Sequence, residues 1–284
     1  MPAKPQIAIV GPGRLGSALS LALTKAGYRV NEIISRDTPD SQKRAREIAR
    51  STRSFTTTLK TAKLDSDLIW FCVPDSEITA AARALLQSAE WNDKVVLHSS
   101  GALASDQLNV LRRRGAAAAS VHPMMTFVRG SIPSLKGVAF ALEGDVKAVR
   151  VARRIARDLG GEAFVISKID KIAYHALGGI SSPLLVAMLA TAEQVAGAAG
   201  LSKVQARKVI LPIVKQTVAN YSALGPAGAF SGPIVRGDVE IVREHLRILK
   251  GTPGAKEVYI ALARAALKYL PARNRKELGK LLAR

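Results

Sequence analysis

Gly11-Pro12-Gly13-Arg14-Leu15-Gly16 constrains this chain more than any other stretch. The hexamer stands between Ile7-Ala8-Ile9-Val10 and a run whose apolar positions Leu15, Ala18, Leu19, Ala22, Leu23 and Ala26 recur at i+3 and i+4. A strand, a glycine turn and a helix closing at Gly27 make the opening of a βαβ unit. Glycine hexamers alone occur by chance; this context gives the match its weight. In such a unit Gly11 permits the tight turn, Gly13 lets a pyrophosphate approach the main chain, and Gly16 lets the helix pack close to the sheet. Free amides and the helix dipole then attract phosphate, so Pro12, Arg14 and Leu15 join the three glycines as candidate dinucleotide contacts.

Residues 6–166 alternate short β-rich runs with amphipathic helical patterns, which predicts a parallel sheet wound with helices. The strands are read at 7–10, 30–35, 54–56, 68–73, 95–98, 117–121, 138–142 and 163–166. Beyond Ile166 the strand signal fades into long apolar-periodic segments at 170–199, 203–223, 239–249 and 256–270. The fold class is therefore α/β, a Rossmann-like domain at 1–166 followed by an all-α domain at 167–284.

Which nicotinamide cofactor suits the first domain is decided at the end of the second strand, Ser35-Arg36-Asp37. An acid there accepts from the ribose 2′-hydroxyl of NAD, whereas arginine suits the 2′-phosphate of NADP. Ser35 stands where the acid normally does and Arg36 offers a planar fork, so NADP is favoured. Asp37 opposes this reading, since a shift of one residue makes it the NAD-type acid. Lys43, Arg44 and Arg46 on the next helix add positive potential or face water.

Ligands of open α/β sheets gather at the carboxyl ends of the strands. There the chain places Val73-Pro74-Asp75, His98-Ser99-Ser100-Gly101 and His122-Pro123-Met124. Val73, Pro74 and Ser99 are further cofactor candidates, and His98 and His122 are candidate proton donors, or strand-end residues bonded to the backbone. Ser167-Lys168-Ile169-Asp170 reads as a capping box opening the second domain's first helix. It puts Lys171 and His175 four residues apart on one face, as proton donors or substrate anchors, or as a snorkelling lysine and a core histidine. Arg236 reads as a carboxylate anchor or a structural ion pair.

Composition excludes several classes. The 284 residues are 48% apolar, enough for one large or two small domains. The single cysteine, Cys72, forms no internal disulfide and sits in an apolar strand. No Cys/His metal spacing and no G-x-S-x-G elbow occurs, so no metal is expected. Met1 to Gln6 lacks the apolar core of a secretory signal, and a cytoplasmic location is the expectation. Ile172 to Ala192 has no charged residue over 21 positions, long enough to cross a bilayer. Its two glycines, two serines and Pro183, and its being a single such segment, predict instead a helix buried at the centre of the helical domain. The net charge of +20 is spread evenly, with 24 basic and 14 acidic residues in 1–160 and 18 and 8 in the rest. There is no basic tail and only 5% aromatics, which ranks nucleic acid last among partners.

These pieces together resemble a bacterial family of Rossmann-like proteins with a helical carboxy-terminal domain of unknown function, related to deazaflavin-dependent NADP reductase and pyrroline-5-carboxylate reductase. The likeness runs through Gly11 to Gly16, Ser35-Arg36, Val73-Pro74-Asp75, His98-Ser99-Ser100-Gly101, His122-Pro123-Met124, Lys171 to His175 and Gly232-Pro233 to His245-Leu246. The His-Pro-Met turn is also similar to one in prephenate dehydrogenases. A helix lysine is shared with the β-hydroxyacid dehydrogenases, which carry asparagine where this chain has His175, and Ser181-Ser182 stands where the family often has Ser-Asn. The resemblance implies a helical domain like that of 6-phosphogluconate dehydrogenase that forms homodimers. The resulting expectation is an NADP-dependent oxidoreductase acting on a small anionic molecule in an interdomain cleft, through His175 or Lys171 first and His98 or His122 second. The alternative is a non-catalytic NADP-binding sensor or regulator.

Overall fold

The structure is a computed structural model that describes residues 3–283. Packing divides the chain into two compact units, one ending at Gly179 and one beginning at Ile180.

The first unit is built on β1 (Ile7–Val10), β2 (Val30–Ser35), β3 (Phe55–Thr58), β4 (Leu68–Phe71), β5 (Val95–His98), β6 (Ala117–Pro123), β7 (Ala139–Gly144) and β8 (Glu162–Val165). They form one sheet in the order β3-β2-β1-β4-β5-β6-β7-β8. Five helices cover it: α1 (Arg14–Lys25), α2 (Pro39–Thr52), α3 (Ile78–Ala84), α4 (Asn109–Arg112) and α5 (Val146–Asp158). Side chains alternate across the strands, so Ile7 and Ile9 pack with Leu19, Ile48 and Ile155 of α1, α2 and α5. Ala8 and Val10 turn the other way, towards Ile78 of α3 and Leu111 of α4. Burial on both faces is why β1 and β4 read as unbroken apolar runs.

One pairing departs from the parallel sheet that the alternation predicts: β6 and β7 are antiparallel, with Val121 opposite Leu142. A parallel return needs a crossover of a dozen residues or more, usually helical. The 124–138 segment contains no helix, so the chain turns back beside β6. Parallel pairing then resumes between β7 and β8 across α5.

Next comes α6 (Lys171–Ser181), whose entry is capped by the Ser167 hydroxyl accepting from the Ile169 N–H. Most of α6 belongs to the sheet unit, since the division falls after Gly179. The second unit holds α7 (Pro183–Ala198), α8 (Lys203–Ala229), α9 (Pro233–Arg236), α10 (Val239–Leu249), α11 (Ala255–Tyr269) and α12 (Arg275–Leu282). Its small core joins Val242 and Leu246 of α10 to Ala263 of α11 and to Leu278 and Leu282 of α12. α8 opens on a capping box between Ser202 and Gln205 and is interrupted at Gly225, where φ is 70°.

The charge-free segment is not the buried helix its composition predicts. It breaks at Ser182, ahead of Pro183, into α6 of 11 residues and α7 of 16. Taken through that bend, Lys168–Ala198 is one helical stretch of 31 residues that is long and apolar enough to cross a membrane by length and composition alone. No residue of α7 is buried, and on α8 only Ala206 is.

Candidate functional site

A cavity of about 600 Å³ opens where the carboxyl ends of β1, β2 and β4 meet. Gly11, Pro12, Gly13, Arg14, Ser35, Arg36, Val73 and Pro74 line it, together with Cys72. The turn needs its glycines: Gly11 has φ of 100°, and a Cβ there would stand 2.8 Å from the Cys72 carbonyl oxygen. Gly16 is pressed against the Gly11 carbonyl, which draws α1 close to the sheet. At Gly13 the nearest atom to an added Cβ is 3.9 Å away, so this backbone faces open space. α1 starts at that point with no side-chain cap and no acid in its first turn, leaving its first amides to an anionic ligand. Leu15 instead packs against the core, and Gly16 and Ser99 stand outside the cavity lining. Ser99 accepts a hydrogen bond from the Trp70 indole at 2.8 Å. Burial pushes the Cys72 thiol up to about 12, so it stays protonated at neutral pH.

The far end of the cavity separates the NADP and NAD readings of Ser35-Arg36-Asp37. Ser35 is buried, its hydroxyl directed at the Thr57 carbonyl. Asp37 is held away by Lys60 at 3.1 Å and by the Gln42 amide at 3.0 Å, and it does not line the cavity. Arg36 does, with Arg44 and Ser41 of α2 beside it. Leu59, Ala80, Ala81 and Ala84 supply apolar wall. Arg36 Nη1 also meets Glu77 Oε1 at 3.2 Å.

A second cluster lies at the ends of β5 and β6. His98 is fully buried, with the Ser100 N–H donating to Nδ1 at 3.2 Å and Nε2 donating to the Ala104 carbonyl at 3.0 Å. Both ring nitrogens are thus spent on backbone, and no nitrogen remains for a substrate. Burial holds its pKa down at about 4. Lys171 is fully buried too, donating to the Ser100 carbonyl at 3.2 Å and to Ser120 Oγ at 2.8 Å. Burial pushes its ammonium below the usual lysine range, against the pull of Glu143 and Asp75.

His122 and His175 are placed differently. Their ring centroids are 6.5 Å apart, and Gly101 lies against both rings. His175 is exposed, whereas His122 is half-buried. Tyr174, one position before His175 and three after Lys171, places its hydroxyl 3.1 Å from His122 Nδ1. Burial, then the charges of Lys171 and His175, depress His122 to about 4, so its ring is neutral at pH 7. Burial also raises the Tyr174 hydroxyl to about 12, keeping it a phenol. The first unit therefore brings His122, Lys171 and His175 together, with Lys171 beneath the surface and the two imidazoles at it. Tyr174, Ser100 and Ser120 complete the cluster; only the i+3 spacing of Tyr174 from Lys171 signals it in the sequence.

Cavity and cluster define a Rossmann-like protein with a titratable group of residues at the sheet edge, and comparison with known proteins agrees on the class. Residues 1–123 match the model of a Rossmann-like domain. Residues 138–266 match the model of a domain of unknown function (DUF2520). No curated protein matches it. Among solved structures it is similar to the provisional NADP oxidoreductase BF3122 of Bacteroides fragilis, with TM-score 0.77 and 23% identity over 92% of this chain and 97% of that one. Protein TM1727 of Thermotoga maritima gives TM-score 0.71 and 24% identity over 98% of each chain. An imine reductase of Myxococcus stipitatus, solved with NADP+, gives 0.67 and 17% over 99% of this chain and 100% of that one.

Proposed function

We propose that the protein is an NADP-dependent oxidoreductase that reduces a C=O or C=N bond of a small anionic molecule. The observation that carries this is the end of the glycine-turn cavity, where Arg36 and Arg44 face the space while Asp37 is tied off by Lys60 and Gln42. Two guanidinium groups without a competing Asp37 suit a 2′-phosphate; the uncapped start of α1 suits the pyrophosphate, and the alanine wall suits adenine. When bound, NADPH supplies the hydride. The solved relatives named with NADP support the same cofactor.

His175, exposed beside His122, delivers the proton to the heteroatom of the reduced bond. His122 is kept neutral by burial and oriented by Tyr174, so its part is to hydrogen-bond the substrate. Lys171 and His98 hold the Ser100-Gly101 loop from beneath. A second copy of the chain covers the apolar faces of α7 and α8, where Leu184, Val186, Leu211, Ile213, Val218 and Tyr221 stand exposed.

Titration of the protein with NADPH and NADH, followed by turnover of an imine and ketone panel by wild type and His175→Ala, tests the reading. Preferential NADPH binding and turnover that falls about a hundredfold or more in the variant is the expected result. Binding without turnover on any acceptor would leave the sensor or regulator instead, and binding of neither dinucleotide would remove the cofactor.

A further inference from the structure

The Arg36–Glu77 ion pair runs across the cofactor cavity. Arg36 follows β2 and Glu77 ends the turn after β4, while β1 and its glycine loop lie between those two strands in the sheet. Both residues line the cavity, and their contact is a single Nη1–Oε1 approach of 3.2 Å with the side chains 57% and 37% exposed. A single-point pair of this exposure is weak enough to open, yet it occupies the group best suited to a phosphate. Among the described residues, Glu77 is also the sole carboxylate lining this cavity.

Resting on the NADP reading, we propose that Glu77 is a specificity-setting residue, an internal anion that competes with the cofactor's 2′-phosphate for Arg36. NADPH must break the pair to engage Arg36 and then leaves a carboxylate facing a dianion. NADH has no 2′-phosphate and binds with the pair intact. Glu77 therefore lowers affinity for NADPH selectively and narrows the preference that Arg36 and Arg44 create. It also speeds release of the phosphorylated cofactor, because Glu77 is at hand to reclaim the guanidinium.

Fluorescence titration of NADPH and NADH against wild type, Glu77→Gln, Arg36→Ala and the double variant tests this, with glutamine keeping the size and removing the charge. Glu77→Gln should tighten NADPH by about two- to fivefold, the range of an exposed ion pair, and leave NADH within about twofold. In the Arg36→Ala background the gain should shrink, since the group in competition is gone. NADPH binding that weakens in Glu77→Gln would mean that Glu77 holds Arg36 in place for the phosphate, and that outcome overturns the proposal. Unchanged NADPH binding, or equal tightening of both cofactors, overturns it as well. Wild type that binds NADPH while Glu77→Gln behaves in any of these ways leaves the NADP reading standing. Wild type that binds neither dinucleotide defeats that reading and this inference with it.

Discussion

Gly101 lies against His175 with no room for another carbon: a Cβ at position 101 would stand 2.8 Å from His175 Cδ2 and 2.9 Å from His122 Nε2. The glycine therefore sets how closely the two imidazoles approach the β5 loop. Gly101→Ala should push one or both rings aside and lower kcat/KM by about tenfold or more, because small displacements of reacting groups are costly. NADPH affinity should hold within about twofold, because Gly101 does not line the glycine-turn cavity. Steady-state kinetics beside a cofactor titration check both halves, and a variant with unaltered kcat/KM would remove the imidazole pair from the chemistry.

Lys171 offers a different test, because its ammonium is enclosed and meets only neutral oxygens. Ser120 Oγ donates to the Ser100 carbonyl at 3.1 Å, so those two acceptors still satisfy each other if the lysine is lost. Lys171→Ala leaves a cavity and should lower stability by about 2–4 kcal/mol. Lys171→Met fills most of the volume and should cost less than half as much, since a buried charge contributes little net stability. Denaturant unfolding of both variants checks the order. Methionine as damaging as alanine would show that the ammonium itself, and not its volume, is what the site requires.

Much of this was legible in the sequence because it rests on local periodicity. All eight strands lie within a few residues of their expected places, since strands buried on both faces leave runs such as Leu68-Ile69-Trp70-Phe71. The antiparallel turn of β7 was not legible: it depends on what the 124–138 segment lacks, and absence of a helix leaves no motif. Nor was α12, where Arg275 to Leu282 is short and only Leu278 and Leu282 are buried in the core, with Leu281 packed against it. In the site, residue types at strand ends marked His98, His122 and the α6 pair, but not their depth. Burial of Lys171 and the double backbone engagement of His98 arise from tertiary packing, as does the Lys60 contact that withdraws Asp37.

The buried histidines give the fold an acid-side dependence. His98 and His122 are both held at about 4, mainly by burial, against an ordinary value of 6.5. Between these values the unfolded chain takes up protons that the folded chain refuses, so stability rises with pH across that window. Stability from these groups is fully present above 6.5, falls as the pH is lowered towards 4, and levels off below. For fully buried His98 the loss amounts to about 3 kcal/mol at most. Melting temperature measured from pH 4 to 7.5 should slope upward and flatten above about 6.5. His122→Asn should reduce the slope, and a flat profile in wild type would mean that the imidazoles are solvated in the native state.

The exposed helices of the second unit make the remaining prediction. On α8 Leu211 and Ile213 are 51% and 65% exposed, and on α7 Leu184 and Val186 are 60% and 63% exposed. A helix this apolar with almost no buried residue gains little from its own unit, and burying such side chains is worth about 1.5–3 kcal/mol apiece. On the proposed dimer, a second copy packing on these faces would supply that burial. Sedimentation should therefore report a dimer for wild type and a monomer, or an aggregating chain, for Leu211→Glu combined with Ile213→Glu. Because Gly11 to Gly16, Arg36 and Arg44 all belong to the sheet unit, a soluble fraction of that variant should still bind NADPH. A wild-type chain that sediments as a stable monomer would overturn the dimer.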